Sequence, residues 1–152
     1  MNNVCLRDAT IKDELLVFEW RNIENLVALS SKQKKVTFEE HKEWFKKKIK
    51  NSKCRILIIQ LKNKNIGLIR LELENKKNCK ISIYLIPGYE GQGFGSAALS
   101  QVLNSDTIKC NSYLADVQIS NISSQKFFQK LGFSKSLKNS SSILFKKKNI
   151  FA

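Results

Sequence analysis

Three glycines separated by single residues stand in the segment IPGYEGQGFGSAAL, which runs from Ile86 to Leu99. Gly91, Gly93 and Gly95 follow a strand that is predicted to end at Pro87, and they precede the predicted start of a helix. Such a turn directs several unpaired backbone N–H groups to one point, where the helix dipole adds partial positive charge. Side chains at these positions would keep an anion away from the amides, so the pattern predicts a backbone cradle for a pyrophosphate.

The loop differs from two common phosphate-binding patterns. No Gly-Lys-Ser/Thr follows it, so it is not a Walker loop, and the strand before it belongs to a meander rather than to a βαβ unit. A glycine-rich turn that merely packs tightly is the alternative that the loop alone leaves open.

The elements around the loop are predicted from capping residues and hydrophobic spacing. Capping boxes at Thr10–Asp13 and Thr37–Glu40 each begin a helix, one running to Leu29 and the other to about Lys50, and both precede the sheet. Strands are predicted at 55–61, 66–74, 80–86, 113–119, 133–136 and 143–147, and further helices at 93–104 and 123–130. Gly132 caps the last helix. The sequence therefore predicts one domain, residues 1–152, with a mixed sheet and helices on its faces.

Composition limits the class of protein. The chain has 152 residues, 42% of them hydrophobic, and its 27 Lys and Arg against 13 Asp and Glu give a net charge of +14. Such a charge attracts phosphates, nucleic acid or acidic membranes. The basic residues are not interleaved with aromatics in any nucleic-acid motif, so no nucleic-acid partner is expected, and a polyphosphate-bearing ligand fits the charge equally well. Without a membrane-spanning run or a signal-peptide core, a cytoplasmic protein is expected.

The cysteines indicate no metal or redox site. Cys5, Cys54, Cys79 and Cys110 lie far apart and form no C-x-x-C pair. The expectation is four isolated buried thiols and no metal.

Two segments, ISIYLIPGYEGQGFGSAAL and NISSQKFFQKLGF, resemble the two cofactor motifs of the GCN5-related N-acetyltransferases (GNAT) in order and separation. The preceding elements follow the order of that family, so the resemblance covers nearly the whole chain. It implies an α+β GNAT fold, in which a mostly antiparallel mixed sheet of about six or seven strands splays at the cofactor cleft and is flanked by four or so helices. It also implies an acetyl-CoA-dependent N-acetyltransferase, in which an amine attacks the thioester directly.

The resemblance implies contacts with acetyl-CoA where strand 80–86 splays from strand 113–119. Backbone groups at Tyr84–Ile86 would pair with the pantetheine, and amides at 91–96 would hold the pyrophosphate. Side chains of the second motif would line the cofactor and flank its thiol. The implied cofactor-binding residues are Tyr84, Leu85, Ile86, Gly91, Gln92, Gly93, Phe94, Gly95, Ser96, Asn121, Ser124, Phe127 and Phe128.

Two residues depart from the family pattern. Glu90 stands where the cradle usually begins with Arg or Gln, which places a negative charge near phosphates. Phe128 stands where the family often has a tyrosine assigned as general acid. Protonation of the leaving thiolate must then come from water, another side chain or the substrate ammonium. Because position 128 is expected to point into the cleft, a hydroxyl restored by Phe128→Tyr should be tolerated.

A general base or a water relay is also required, because an alkylamine near pKa 10 is protonated at neutral pH. Asp116 matches a position where related sugar acetyltransferases carry an acidic residue. His41, the one histidine, lies on the helix facing the expected substrate side. A solvent-facing carboxylate and a packed histidine are the respective alternatives.

The segment from Glu19 to Phe45 resembles the N-terminal helices of acetyltransferases that modify 4-amino sugars on nucleotide carriers, notably in pseudaminic acid synthesis. Trp20-Arg21-Asn22 and Glu39-Glu40-His41 carry this similarity. It implies a UDP-amino-dideoxy sugar as substrate, with Arg21 and His41 as binding residues; for Arg21, simple surface exposure is the alternative. A peptide N-terminal or ribosomal-protein acetyltransferase and a catalytically silent acyl-CoA-binding module are the other hypotheses. A homodimer is compatible with each.

Overall fold

A computed structural model describes residues 3–23, 26–27, 34–75 and 77–152. The chain begins with a strand, a short 3-10 turn and two helices, and then alternates between sheet and helix. The described strands are β1 (Val4–Asp8), β2 (Cys54–Leu61), β3 (Lys64–Glu74), β4 (Asn78–Leu85), β5 (Ser112–Gln118), β6 (Ser134–Leu137) and β7 (Ser142–Lys148). The described helices are α1 (Glu14–Arg21), α2 (Phe38–Lys50), α3 (Phe94–Leu103) and α4 (Ile122–Lys130).

The strands form one seven-stranded sheet in the order β1-β2-β3-β4-β5-β7-β6. Neighbouring strands are antiparallel except β4 and β5, which are parallel. The expected mixed α+β architecture is therefore confirmed. The expectation that the sheet begins after the helices was wrong, because β1 precedes them. This edge strand pairs with β2 alone, and its sequence, VCLRD, places three apolar residues side by side, so it shows no alternation of apolar and polar residues.

The predicted capping box at Thr10 is complete, and the predicted N-cap at Thr37 is present. The Thr10 hydroxyl accepts from the Lys12 N–H, and the Asp13 carboxylate accepts from the Thr10 N–H at 2.8 Å. This box begins the 3-10 turn Ile11–Asp13, which leads into α1. The Thr37 hydroxyl likewise accepts from the Glu40 N–H at 3.2 Å at the start of α2. Local side-chain acceptors thus satisfy N–H groups that a helix start leaves unpaired.

Helix α1 ends at Arg21, earlier than predicted. The side-chain amide of Asn22 accepts from the Val36 N–H and donates to the Val36 carbonyl, both at 2.9 Å. These bonds hold the end of α1 beside the start of α2. Of the predicted helix beyond this point, residues 24, 25, 28 and 29 lie outside the described residues.

The turns follow the local sequence. Lys62 and Asn63 have φ of 49° and 66° in the two-residue turn between β2 and β3. Gly132, with φ of 88°, ends α4 as predicted, and the Phe133 N–H donates to the Phe128 carbonyl at 3.1 Å.

Two apolar clusters lie on opposite faces of the sheet. One contains residues of α3 and α4, including Leu99 and Phe128. The other contains residues of α1 and α2, including Trp20 and Phe45. Along β3, β4 and β5, the face on the α2 side continues beyond this second cluster as polar side chains, which we call the polar face. It carries Arg70, Glu72, Lys80, Ser82 and Asp116.

Within the described part of the chain, no helix combines the length and apolar character needed to cross a membrane.

Candidate functional site

Strands β4 and β5 separate after a short parallel contact. They pair only over Asn78–Lys80 and Ser112–Leu114, although β4 continues to Leu85 and β5 to Gln118. The backbone of β4 therefore has an open edge on this side. An extended chain with amide groups can pair with such an edge as an added strand.

The hydrogen-bond alternation of β4 identifies which residues face this gap. The Ile86 N–H donates to the Ile66 carbonyl of the β3 side at 2.9 Å. In an antiparallel ladder the backbone groups of every second residue point to the same neighbour, so Tyr84 also bonds toward β3. The groups that point into the gap belong to Leu85 and Ile83. Of the predicted stretch, Leu85 fits the pantetheine contact, whereas Tyr84 and Ile86 do not supply their backbone groups.

The glycine loop at the end of β4 has the geometry of an anion cradle. Gly91 and Gly93 have φ of 72° and 85°, in the left-handed region that favours glycine. Within the described chain, no N–H from Gly91 to Ser96 donates to an acceptor, and the Ala97 N–H makes the first helical bond, to Gly93. A Cβ at Gly91 would meet no protein atom within 4 Å. The free amides and open space at the start of α3 fit a pyrophosphate.

Gly95 differs from Gly91 and Gly93 in its conformation. Its φ is not in the left-handed region, and a Cβ there would lie in ordinary contact with the Phe127 ring, at 3.4 Å. The structure therefore gives no conformational reason for glycine at this position, and its predicted role in phosphate access stays a prediction.

Glu90 stabilises the turn that leads into the loop. Its Oε2 accepts from the Gly88 N–H at 2.7 Å, and the side-chain amide of Gln92 donates to the Gly88 carbonyl at 3.0 Å. The carboxylate that departs from the family pattern thus bonds to the turn itself. Gln92 also contributes its side chain to the turn.

Helix α4 places its two predicted polar residues at its first turn. The Asn121 Oδ1 accepts from the Ser124 N–H at 3.1 Å, which caps the helix. Asn121 is therefore first a structural cap, and the half-buried Ser124 lies beside it.

Phe128 does not point into an open cleft, contrary to the expectation. Its side chain is 4% exposed and lies in the core. Its ring centroid is 5.1 Å from those of Phe127 and Phe133 and 5.8 Å from that of Phe145. Position 128 lies on the face of α4 that contacts the sheet. The Phe128 ring packs against other aromatic rings there, at the position where the family often has a tyrosine hydroxyl.

Asp116 lies on the polar face, on the part of β5 that no longer pairs with β4. Its carboxylate forms ion pairs with Lys138 at 2.9 Å and Lys80 at 3.2 Å. Partial burial raises the pKa of Asp116, but the hydrogen bonds from Lys138 and Lys80 outweigh it and bring the pKa below its ordinary value. The group is therefore a stable anion, and its intrinsic basicity is low.

His41 is fully buried, and both of its ring nitrogens have partners. Nε2 lies 2.8 Å from the Glu14 carbonyl and Nδ1 lies 3.1 Å from the Arg21 guanidinium. A carbonyl can only accept, so Nε2 carries the proton and Nδ1 accepts from Arg21. Burial lowers the pKa of His41, which favours this neutral form. The arrangement does not fit the predicted general base, because the lone pair is already occupied; it fits a residue that positions Arg21.

Two neighbours of Arg21, Trp44 and Arg70, were not predicted as site residues, and a third, Tyr84, was predicted only as a cofactor contact through its backbone. The Arg21 guanidinium lies over the Trp44 ring, with Cζ 4.2 Å from the centroid, and Arg70 lies over the same ring at 5.2 Å. The Tyr84 hydroxyl is buried and has no hydrogen-bond partner in the described part of the chain. One feature of the sequence could have indicated Arg70, because it is an arginine within the apolar run IGLIRLELE. Arg21, Trp44, Arg70 and Tyr84 come from four different elements, so only the fold brings them together.

The described residues contain no group of three His, Cys, Asp or Glu side chains placed to hold a metal ion. Cys54, Cys79 and Cys110 are buried as expected, whereas Cys5 is exposed.

The Acetyltransferase (GNAT) domain model matches residues 3–134. Three similar solved structures share the fold of this chain. Their sequence identities to it are too low to show its function. A domain from Methanocaldococcus jannaschii DSM 2661 is 24% identical, with 97% of this chain and 99% of that chain covered and a TM-score of 0.85. A spermidine N-acetyltransferase from Vibrio cholerae, in complex with CoA and spermine, is 18% identical (96% and 95% covered, TM-score 0.82). The Campylobacter jejuni N-acetyltransferase PseH is 21% identical (95% and 97% covered, TM-score 0.72). No protein of curated function matches the sequence significantly.

Proposed function

Because the chain belongs to the GNAT acetyltransferase family and is an acetyl-CoA-dependent N-acetyltransferase, we propose that its acceptor is the 4-amino group of a nucleotide-linked amino sugar. The observation that supports this acceptor is Arg21, which His41 and Trp44 hold at the polar face. A fixed guanidinium is suited to a diphosphate. The resemblance within Glu19–Phe45 points the same way, although residues 24–25 and 28–33 of that segment lie outside the described residues.

The cofactor contacts are part of the proposal. The free amides from Gly91 to Ser96 hold the pyrophosphate, and the backbone groups of Leu85 pair with the pantetheine across the gap between β4 and β5. Ser124, Asn121 and Phe127 line the cofactor from the start of α4. When bound, acetyl-CoA supplies an acetyl thioester that an amine can attack directly.

The catalytic contribution of this chain is the orientation of the acceptor amine. We assign Asp116 as the carboxylate toward which the acceptor ammonium is drawn, because it lies on β5 beyond the point where β4 and β5 separate. Its lowered pKa means that the ammonium proton leaves through water rather than resting on the carboxylate. His41 keeps Arg21 in place and does not receive the proton.

Release of free thiol from acetyl-CoA, measured with a panel of amines, tests the substrate. The panel contains a UDP-linked 4-amino sugar, the same sugar without its nucleotide, spermidine and a peptide with a free N-terminus. We expect turnover with the UDP-linked sugar to exceed turnover with every other amine by at least about tenfold, which corresponds to about 1.4 kcal/mol. Faster turnover with spermidine or with the peptide would overturn the proposed acceptor.

A cytoplasmic location and a homodimer belong to the same proposal. The four unpaired cysteines support a reducing compartment. Edge strand β6 supports a pairing surface, because all four of its residues are exposed. Light scattering of the purified protein measures the oligomeric state, and a monomer at micromolar concentration would contradict the dimer.

A further inference from the structure

We propose that Arg21 and Arg70 form a binding site for a phosphate group of the acceptor, with Trp44 as the surface on which both guanidiniums lie. This inference rests on the proposed function, because it names the group that the site would recognise in a nucleotide-linked amine. It assigns the anion to the polar face, on the side of the sheet that carries α2. The cofactor's own pyrophosphate belongs instead to the loop before α3.

The first supporting observation is that two cations share one ring. The Cζ atoms of Arg21 and Arg70 lie 4.2 and 5.2 Å from the Trp44 centroid, both within the range of a cation–π contact. Burial lowers the pKa of Arg21, and the charge of Arg70 lowers it further. Two like charges held as neighbours are unfavourable without an anion, and an anion placed between them removes that repulsion.

The second observation is that each guanidinium is anchored yet keeps unused donors. Arg21 is bound through Nη1 to His41. Arg70 is bound through Nε to Glu72 at 2.7 Å and through Nη2 to Ser82 at 3.4 Å. In the described chain this leaves Nε and Nη2 of Arg21 and Nη1 of Arg70 without an acceptor. Anchored guanidiniums with free N–H groups lose little side-chain entropy when they bind a phosphate.

The third observation is the unpartnered hydroxyl of Tyr84. It is buried, it has no hydrogen-bond partner in the described part of the chain, and its charged neighbours are Arg21 and Arg70. A buried hydroxyl without a partner is unfavourable, so this one is suited to donate to an incoming oxygen. A phosphate has enough oxygens to accept from two guanidiniums and a hydroxyl, whereas a carboxylate has only two.

The carboxylates near the site do not cancel its positive charge. Glu72 is shared between Arg70 and Lys48, at 2.7 and 2.9 Å. Asp116 is paired with Lys80 and Lys138. The charge of Glu40 also acts on Arg21, but no described carboxylate lies within ion-pair distance of the Arg21 guanidinium. A polycationic acceptor would meet two neighbouring guanidiniums, of which only Arg70 has an ion-pair partner, so the site disfavours polyamines.

Calorimetry with inorganic pyrophosphate tests the site directly. The protein is first saturated with CoA, so that the loop before α3 is filled and cannot take the probe. We expect pyrophosphate to bind, and we expect Arg70→Gln and Arg21→Gln each to weaken binding by at least about tenfold. Tyr84→Phe should weaken it by less. Arg55→Gln is the matched control, since it removes the same charge from an arginine paired with Asp8 and the Thr107 carbonyl; its affinity should change less than about twofold.

Arg70→Lys guards against a folding defect, because it keeps the charge and loses the forked geometry; it should bind pyrophosphate with intermediate affinity and melt as the wild type does. Absence of pyrophosphate binding by the CoA-saturated protein, or equal affinity in a folded Arg70→Gln variant, would overturn the site.

The panel of amines separates this result from the proposed function. Arginine-dependent pyrophosphate binding without turnover of the UDP-linked sugar would keep the site and reject the acceptor. Turnover of that sugar with an unchanged KM in Arg70→Gln would keep the acceptor and reject the site.

Discussion

The imidazole of His41 accepts a hydrogen bond from Arg21 across 3.1 Å, while its other nitrogen donates to the Glu14 carbonyl at 2.8 Å. The histidine therefore links α2 to both the start and the end of α1. It is stacked on Phe45, with ring centroids 5.4 Å apart. This one side chain fixes the position of an arginine that the proposed function requires.

Replacement of His41 by glutamine separates a positioning role from a basic one. A glutamine amide can donate to Glu14 and accept from Arg21, but it cannot take up a proton. We expect His41→Gln to keep kcat within about threefold, and His41→Ala to raise the KM for the acceptor and to lose about 1–3 kcal/mol of stability. Steady-state kinetics and thermal melts measure both. A loss of kcat by two orders of magnitude in a folded His41→Gln variant would restore the general base.

The lowered pKa of His41 predicts how stability depends on pH. The unfolded chain takes up a proton near the ordinary pKa of about 6.5, whereas the folded protein resists protonation because His41 is buried. The unfolded state then binds more protons, so the free energy of unfolding should fall as pH decreases below about 6.5. His41→Gln should flatten the profile between about pH 5 and 6.5. Urea titrations at several pH values measure the free energy of unfolding of both proteins. An equal fall with decreasing pH in the wild type and in His41→Gln would contradict this explanation.

Gly91 should contribute to cofactor binding in a way that Gly88 does not. Both have positive φ, 72° and 99°, and at neither position would an added Cβ meet a protein atom within 4 Å. Alanine at either position therefore carries a similar strain of about 1–2 kcal/mol. Only Gly91→Ala places a methyl group in the anion cradle, so its CoA affinity should fall at least about tenfold relative to Gly88→Ala. Calorimetry with CoA compares them, and equal losses would mean that the cradle lies elsewhere.

Asp116 should affect turnover far more than cofactor affinity. Asp116→Asn keeps the size of the side chain and removes the anion between Lys80 and Lys138. Because Asp116 orients the ammonium and does not take its proton, we expect kcat/KM for the acceptor to fall by about 10- to 100-fold, which matches the loss of one hydrogen bond to a charged group, with unchanged CoA binding. Lys138→Met is the control, because it keeps the carboxylate and one of its partners. A comparable loss of CoA affinity in Asp116→Asn would identify a structural residue.

The features that the sequence predicted well are those determined by neighbouring residues. The capping box at Thr10, the N-cap at Thr37, the end of α4 at Gly132 and the glycine loop before α3 depend on contacts a few residues apart. Strand β1 was missed because a five-residue edge strand depends on its partner β2. The placement of Arg21 and Arg70 over the same Trp44 ring depends on the packing of three elements, α1, α2 and β3. No local pattern encodes such a meeting of distant elements.

The packing of Phe128 reverses the sequence-based expectation for Phe128→Tyr. The ring lies among Phe127, Phe133 and Phe145 and is 4% exposed, so an added hydroxyl would be buried among aromatic carbons. A buried hydroxyl without a partner costs about 1–3 kcal/mol, which in a chain of this size lowers Tm by about 2–4 °C per kcal/mol. Coenzyme A's thiol, with a pKa near 8.5 by analogy with cysteine, can leave as the anion, so the wild type needs no phenol at this position. We therefore expect Phe128→Tyr to melt at a lower temperature and to gain no kcat, while Phe133→Tyr, a second buried ring of the same cluster, should lose a similar amount of stability. Calorimetric melts and steady-state kinetics test the pair, and a Phe128→Tyr variant that is as stable as the wild type and faster would place this side chain in the cleft after all.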